Sequence, residues 1–206
     1  MSQSNLSTGL SSLLQKLSER LGGHRTPAGY RPGATLAHLQ RNMGLAQFTV
    51  TGPSSATAML DNGGPRLEMV ERTESQLLMH IVMTEFNVQV PALQEGVAGF
   101  VLHHGGAIRR RSIRCRQRAG DPALLKRLQA ALAGDRALHD ALMPLDFKRL
   151  QIDLHGTQWQ VRIEHMGGSE VVSRMPAFRR YIALSADQRH ALLQTLYGFQ
   201  RILPTL

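Results

Sequence analysis

A chain of 206 residues that is 42% hydrophobic and 19% charged is too apolar for an extended disordered polymer, and a compact fold of that length buries roughly 70% of its unfolded surface. No run approaches the roughly 18 consecutive apolar residues of a membrane span, and the single cysteine, Cys115, excludes an intrachain disulfide framework and any multi-cysteine metal site. With 24 basic against 15 acidic residues the net charge is +9, and all the bases except Lys16, Lys126 and Lys148 are arginines, which points to a soluble, cytoplasmic protein that prefers anionic partners.

Leu6, Leu10, Leu13, Leu14, Leu17 and Leu21 recur at helical spacing among serines and glutamine, which predicts an amphipathic N-terminal helix. It lacks the basic n-region and unbroken apolar stretch of a secretory signal. Its stripe needs an apolar surface, supplied by its own body, by a second copy in a homo-oligomer, by another partner or by a membrane. Gly22 to Gly33, with Pro27 and Pro32, reads as a linker. Residues 1–33 therefore form an arm, and 34–206 a single α+β globular domain.

In that domain Thr35 to Asn42 is a short helix with Leu36, Leu39 and Met43 on one side, ended by Gly44. From Leu45 the period changes to two, predicting strands at 45–51, 66–72, 76–86 and 97–102, broken at Pro53 to Ala56 and Asn62 to Pro65. The 76–86 strand is apolar on both faces and so lies centrally. Gly105-Gly106 turns the chain into an arginine-rich strand, 108–118. Asp121 and Pro122 start a helix carrying Leu125, Leu128 and Leu132, and Asp135 caps a second one that runs to Met143.

Leu150, Ile152 and Leu154 alternate, as do Trp159, Val161 and Ile163. A two-residue turn at Gly156-Thr157 then predicts a hairpin pairing Ile152 with Val161 on one face and Arg149 with Glu164 on the other. Gly167-Gly168 marks a further turn into 169–174, Pro176 a break, and 178–184 a last strand. Ser185 and Gln188 form a capping box for a final helix with Leu192, Leu196, Phe199 and Leu203 on its buried side. Gly198 within that helix predicts close approach of another backbone. The class is α+β, with one or more antiparallel sheets and helices packed on one face. The order strands-then-helix over 45–134 and again over 146–203 suggests two similar units.

The run from Ile108 to Arg118 carries six arginines and no acid; without them, 18 basic and 15 acidic residues leave only +3. As a strand it puts Arg110, Arg114, Arg116 and Arg118 on one face, with neighbours about 6.6 Å apart. That face suits nucleic-acid phosphates, an acidic protein or lipid headgroups. The competing reading is a cross-strand salt-bridge lattice with Glu68, Glu71, Glu74 and Glu85. No aromatics interleave with the basic run and no helix-turn-helix, RRM or zinc-finger pattern is present, which disfavours sequence-specific readout.

The nine histidines show no H-x-x-x-H or H-E-x-x-H spacing, and adjacent His103 and His104 point to opposite faces of a strand, so no metal is assigned. No Walker A, G-x-G-x-x-G or G-x-S-x-G motif occurs, and no cofactor is implied. Cys115 among arginines suggests a stabilised thiolate or, as the blander account, a small buried hydrophobe. Glu164 with His165 and Asp153 with His155 are the acid–base candidates, but the hairpin register already pairs both acids. The leading expectation is a non-enzymatic binding or adaptor protein that engages an anionic macromolecule or acidic protein through Arg110, Arg114, Arg116 and Arg118. The alternative is an enzyme acting on a small anionic substrate, with arginine clamps and a histidine acid or base.

Overall fold

Leu36, Leu39 and Met43 do form the buried side of helix α1 (Ala34–Met43), and Gly44, in the left-handed region at φ 63°, ends it by donating its N–H to the Gln40 carbonyl. This is a computed structural model that describes residues 27, 29–45, 47–60, 64–75, 78–106 and 111–206. The leucine-striped N-terminal segment and Arg110 lie outside the described residues.

Helix and strand are mixed, with an antiparallel, curled sheet of seven strands. Strands β1 (Thr49–Gly52), β2 (Ser55–Met59) and β3 (Arg66–Ser75) form a meander onto β4 (Met79–Gly105). Strand β5 (Ser112–Ala119) returns along β4, and helices α2 (Pro122–Gly134) and α3 (Arg136–Leu142) follow. Then come β6 (Phe147–Arg174), β7 (Ala177–Ile182) and helix α4 (Ala186–Ile202). The order is β1-β2-β3-β4-β6-β7, with β5 pairing β4 off that path. The caps are those the sequence predicts: Asp121 accepts from the Ala123 N–H, Asp135 from the Leu138 N–H, and Ser185 and Gln188 satisfy each other's end groups. On α2 the buried leucines are Leu124 and Leu128, with Leu125 and Leu132 only partly covered.

One hydrophobic core joins sheet and helices. Phe86, Val88, Val90, Ala98, Phe100 and Leu102 of β4 and Ile152, Leu154, Trp159, Val161 and Ile163 of β6 pack with Leu36 of α1, Leu128 of α2, Leu138 of α3 and Leu196 and Phe199 of α4. Gly198 does meet a close neighbour, but it is the side chain of Leu138 rather than a backbone: a Cβ there would lie 2.7 Å from Leu138 Cδ1.

The first strand starts at Thr49 rather than Leu45, and the boundaries differ from expectation in three further places. Pro53 to Ala56 is not a long break, because β2 already starts at Ser55; its buried residues, Ala56 and Ala58, are too small to register as a strand signal. The expected strands 76–86 and 97–102 belong to one strand, β4, whose register against β6 jumps between Pro91 and Gly96. The 150–163 hairpin is likewise not formed. Strand β6 is continuous through Gly156 and Gly168, and Ile152 pairs with Phe100 and Val161 with Val88. A glycine in the left-handed region, here Gly156 at φ 59°, shifts the alternation of apolar residues whether the chain reverses at a turn or bends within a strand. What decides between them is a partner, and β4 supplies backbone hydrogen bonds to both limbs.

The bend nevertheless brings the limbs of β6 together. Arg149 pairs with Glu164 at 3.3 Å, as the expected register has it, and Arg162 pairs with Asp153. The Met166 N–H donates to the Asp146 carbonyl, and the Asp146 N–H to His165 Nε2. In an extended strand Asp153 and Arg162 would stand about 30 Å apart, so these contacts measure how sharply β6 doubles back.

Candidate functional site

Among the described residues strand β5 pairs with β4 alone, and its alternation separates two environments. Ile113, Cys115 and Gln117 are half-buried, while Arg114, Arg116 and Arg118 are exposed on the opposite side. Arg116 stands beside Val101, which stands beside Gln151, and Arg114 stands beside His103. Two glycines of β4 make room for this layer. A Cβ at Gly105 would come within 2.9 Å of Arg114 Nε, and one at Gly99 within 3.1 Å of Asp153 Oδ1 and 3.5 Å of Arg118 Nη2.

Of the three described arginines only Arg118 has an acid, Asp153, a buried carboxylate it shares with Arg162. Arg114 and Arg116 have no ion-pair partner among the described residues. The four acids of the lattice reading are placed elsewhere. Glu71 accepts from the Tyr30 hydroxyl and from the N–H groups of Gly33 and Leu36, Glu74 pairs with Lys148, Glu85 pairs with Arg72 at 3.0 Å, and Glu68 stands between Thr57 and Asn87. None reaches β5, because those acids lie on β3 and the first half of β4 while β5 lines the second half.

The sheet carries a second polar region that sequence reasoning did not assemble. A cleft of about 710 Å³ is lined by Arg72, Lys148, Arg149 and Arg162 and by Glu71, Glu74, Glu85 and Glu164. Glu85 and Glu164 stand directly opposite on the β4–β6 ladder, 4% and 5% exposed. Like charges so placed repel, and each is compensated by its own arginine, Arg72 or Arg149. Asn87 adds a hydrogen bond to Glu85. The signal in the sequence is faint: charged residues at alternate positions of strands look solvent-facing, and the doubling of β6 is what buries them.

The remaining candidates have structural roles. Cys115 borders a largely aliphatic cavity of about 480 Å³ between β5, α2 and α3 with Ile113, Leu132, Leu142 and His139. Burial pushes its thiol up to about 11, while Arg116 and Arg118 stand at the exposed alternate positions of β5. His103 and His104 do fall on opposite sides, His103 exposed and His104 stacked on Phe147 with a bond to the Leu142 carbonyl. His165 is buried, its Nε2 accepting from Asp146, while Glu164 is held by Arg149. His155 is exposed and Asp153 is taken by two arginines. No helix among the described residues is long and apolar enough to cross a membrane.

Residues 41–203 match a family model described as a protein of unknown function, DUF3156. No curated protein and no solved structure matches the chain.

Proposed function

The chain belongs to the DUF3156 family, whose description carries no activity, and from its own geometry we propose that it is a non-enzymatic binding protein that engages an anionic macromolecule through the outer face of β5. The supporting observation is that Arg114 and Arg116 are exposed at alternate positions of β5 and have no ion pair among the described residues, while Glu71, Glu74 and Glu85 are engaged elsewhere. Two uncompensated guanidiniums beside Arg118 and His103 form a positive stripe suited to phosphate or carboxylate groups. Arg110 extends it in the sequence. We take the helices to cover the apolar side of the sheet, which leaves this face to the partner, and we place the protein in a reducing cytoplasm because its single thiol has no disulfide to form.

Titration against heparin and single-stranded DNA at two salt concentrations tests the reading. Wild type should bind at low salt, and Arg114→Gln with Arg116→Gln should lower the log–log salt slope by about 1.4, from roughly 0.7 per phosphate on a single strand. Thermal stability should stay within about 1 kcal/mol, because neither arginine has a partner to lose. Absence of wild-type binding at low salt overturns the reading.

The second reading, an enzyme for a small anionic substrate, draws on the polar cleft. Each of its four cations is already held, Arg72 by Glu85, Lys148 by Glu74, Arg149 by Glu164 and Arg162 by Asp153, so an anion there would compete with built-in ion pairs, whereas Arg114 and Arg116 of β5 have none among the described residues.

A further inference from the structure

Where β4 begins and β6 turns into β7, four large apolar side chains are left outside the core: Leu78 at 49% exposure, Met79 at 36%, Met175 at 73% and Phe178 at 44%. Met79, Ser173 and Phe178 stand in one row across β4, β6 and β7. Leu78 precedes Met79, and its carbonyl accepts from the Arg174 N–H. Met175 lies in the turn beyond. Leu78 and Met175 lie just outside the strands beside that row, so the four apolar groups share one rim of the sheet.

The unpaired charge around the rim is positive among the described residues. Arg180 stands beside Val171 and Ile81 two rows behind Phe178 and Met79, and Arg174 stands beside Ala177 in the row of Leu78. Both are exposed and neither has an ion pair among the described residues. The acids nearest the rim are consumed: Glu170 is buried against Arg179, and Glu74 is held by Lys148. An apolar edge backed by unpaired arginines matches a surface with anionic groups outside and an apolar interior behind them. Nucleic acid offers the first without the second.

We propose that this rim attaches the protein peripherally to an anionic lipid bilayer, with Leu78, Met79, Met175 and Phe178 entering the boundary between headgroups and acyl chains and Arg174 and Arg180 meeting lipid phosphates. The attachment uses residues other than the β5 stripe and does not depend on it.

The test uses the full chain with vesicles of phosphatidylcholine alone and of phosphatidylcholine containing phosphatidylserine. Wild type should sediment with the anionic vesicles. Replacing Arg174→Gln or Arg180→Gln should weaken that binding roughly fivefold each, and Met175→Asp with Phe178→Asp should weaken it at least tenfold while the melting curve stays that of wild type. Insertion is read separately by Met175→Trp. The natural tryptophan, Trp159, is 1% exposed and constant, so a blue shift on adding anionic vesicles reports the rim entering the bilayer.

Each of the following results overturns the proposal. Wild type fails to bind anionic vesicles; the double aspartate variant binds as wild type does; the double aspartate variant changes its oligomeric state, which makes the rim a contact between copies; or the Met175→Trp emission is already blue-shifted without lipid, which means the chain itself covers the rim. Vesicle binding lost in Arg114→Gln with Arg116→Gln, with no Met175→Trp shift, overturns the rim and leaves the β5 reading standing. The converse pattern supports the rim.

Discussion

Glu71 shows how one side chain replaces a local signal. Helix α1 has Gly33 at its N-cap, φ 80°, with no side chain to accept from the first-turn N–H groups. The carboxylate of Glu71 arrives from β3 and accepts from the Gly33 and Leu36 N–H groups at 2.9 and 3.0 Å and from the Tyr30 hydroxyl at 2.6 Å. Burial and this bond hold the Tyr30 phenol above its usual range, so it stays a donor. Glu71→Ala leaves buried donors without an acceptor and should cost about 3 kcal/mol in denaturant unfolding. His80 gives a pH effect. It is 2% exposed, its Nε2 has no partner among the described residues, and burial, then the charges of Arg179 and Arg174, push its pKa below 6.5 against a smaller opposite pull from Glu170. The unfolded chain binds a proton near 6.5 that the folded one refuses until lower pH, so stability is full above 6.5 and falls as pH drops below it. His80→Asn should show a smaller loss of urea midpoint between pH 7 and pH 5 than wild type; equal losses in the two proteins would refute this.

At the scale of elements, α4 and α3 meet through Gly198. Alanine is the better helix former by about 1 kcal/mol, but its Cβ would sit 2.7 Å from Leu138 Cδ1 and 2.9 Å from Leu138 Cβ. The Cβ of Leu138 cannot swing away as a side-chain tip can, so overpacking outweighs propensity. Gly198→Ala should lower stability by about 1 kcal/mol, and pairing it with Leu138→Ala should recover part of what the two lose separately. A stabilised single variant would mean that the two helices shift apart freely.

For the whole molecule, the decisive arrangement is a pair of long strands, β4 and β6, each bent and running through both halves of the sheet. Asp153 ties the arrangement together, because its carboxylate holds Arg118 on β5 and Arg162 on the other limb of β6. Asp153→Asn leaves both guanidiniums without a counter-charge and should cost about 2 kcal/mol, less than a fully buried pair because both arginines are partly exposed. The same change frees Arg118 on the outer face of β5, so polyanion affinity at low salt should rise while stability falls. A loss of both would show that the arginine face depends on the ion pair rather than competing with it.

The helices and the side each strand residue takes were legible in local signals alone. Helical spacing and caps place α1 to α4 to within a residue or two, because Asp121, Asp135 and the Ser185–Gln188 box act on backbone groups two or three residues away. Alternation assigns Ile152, Val161, Trp159 and the rest to the core, since a strand residue's side depends only on its parity. It also separates the exposed Arg114, Arg116 and Arg118 from Ile113 and Cys115. Which strands share hydrogen bonds depends instead on partners distant in the chain. Gly156 permits a turn or a bend equally well, and the choice belongs to β4, some 60 residues earlier in the chain. The fate of the acids was decided there too: whether Glu71, Glu74 and Glu85 neutralise β5 depends on which limb of β4 each strand lines, and a charge carries no sequence mark of the partner that folding brings to it.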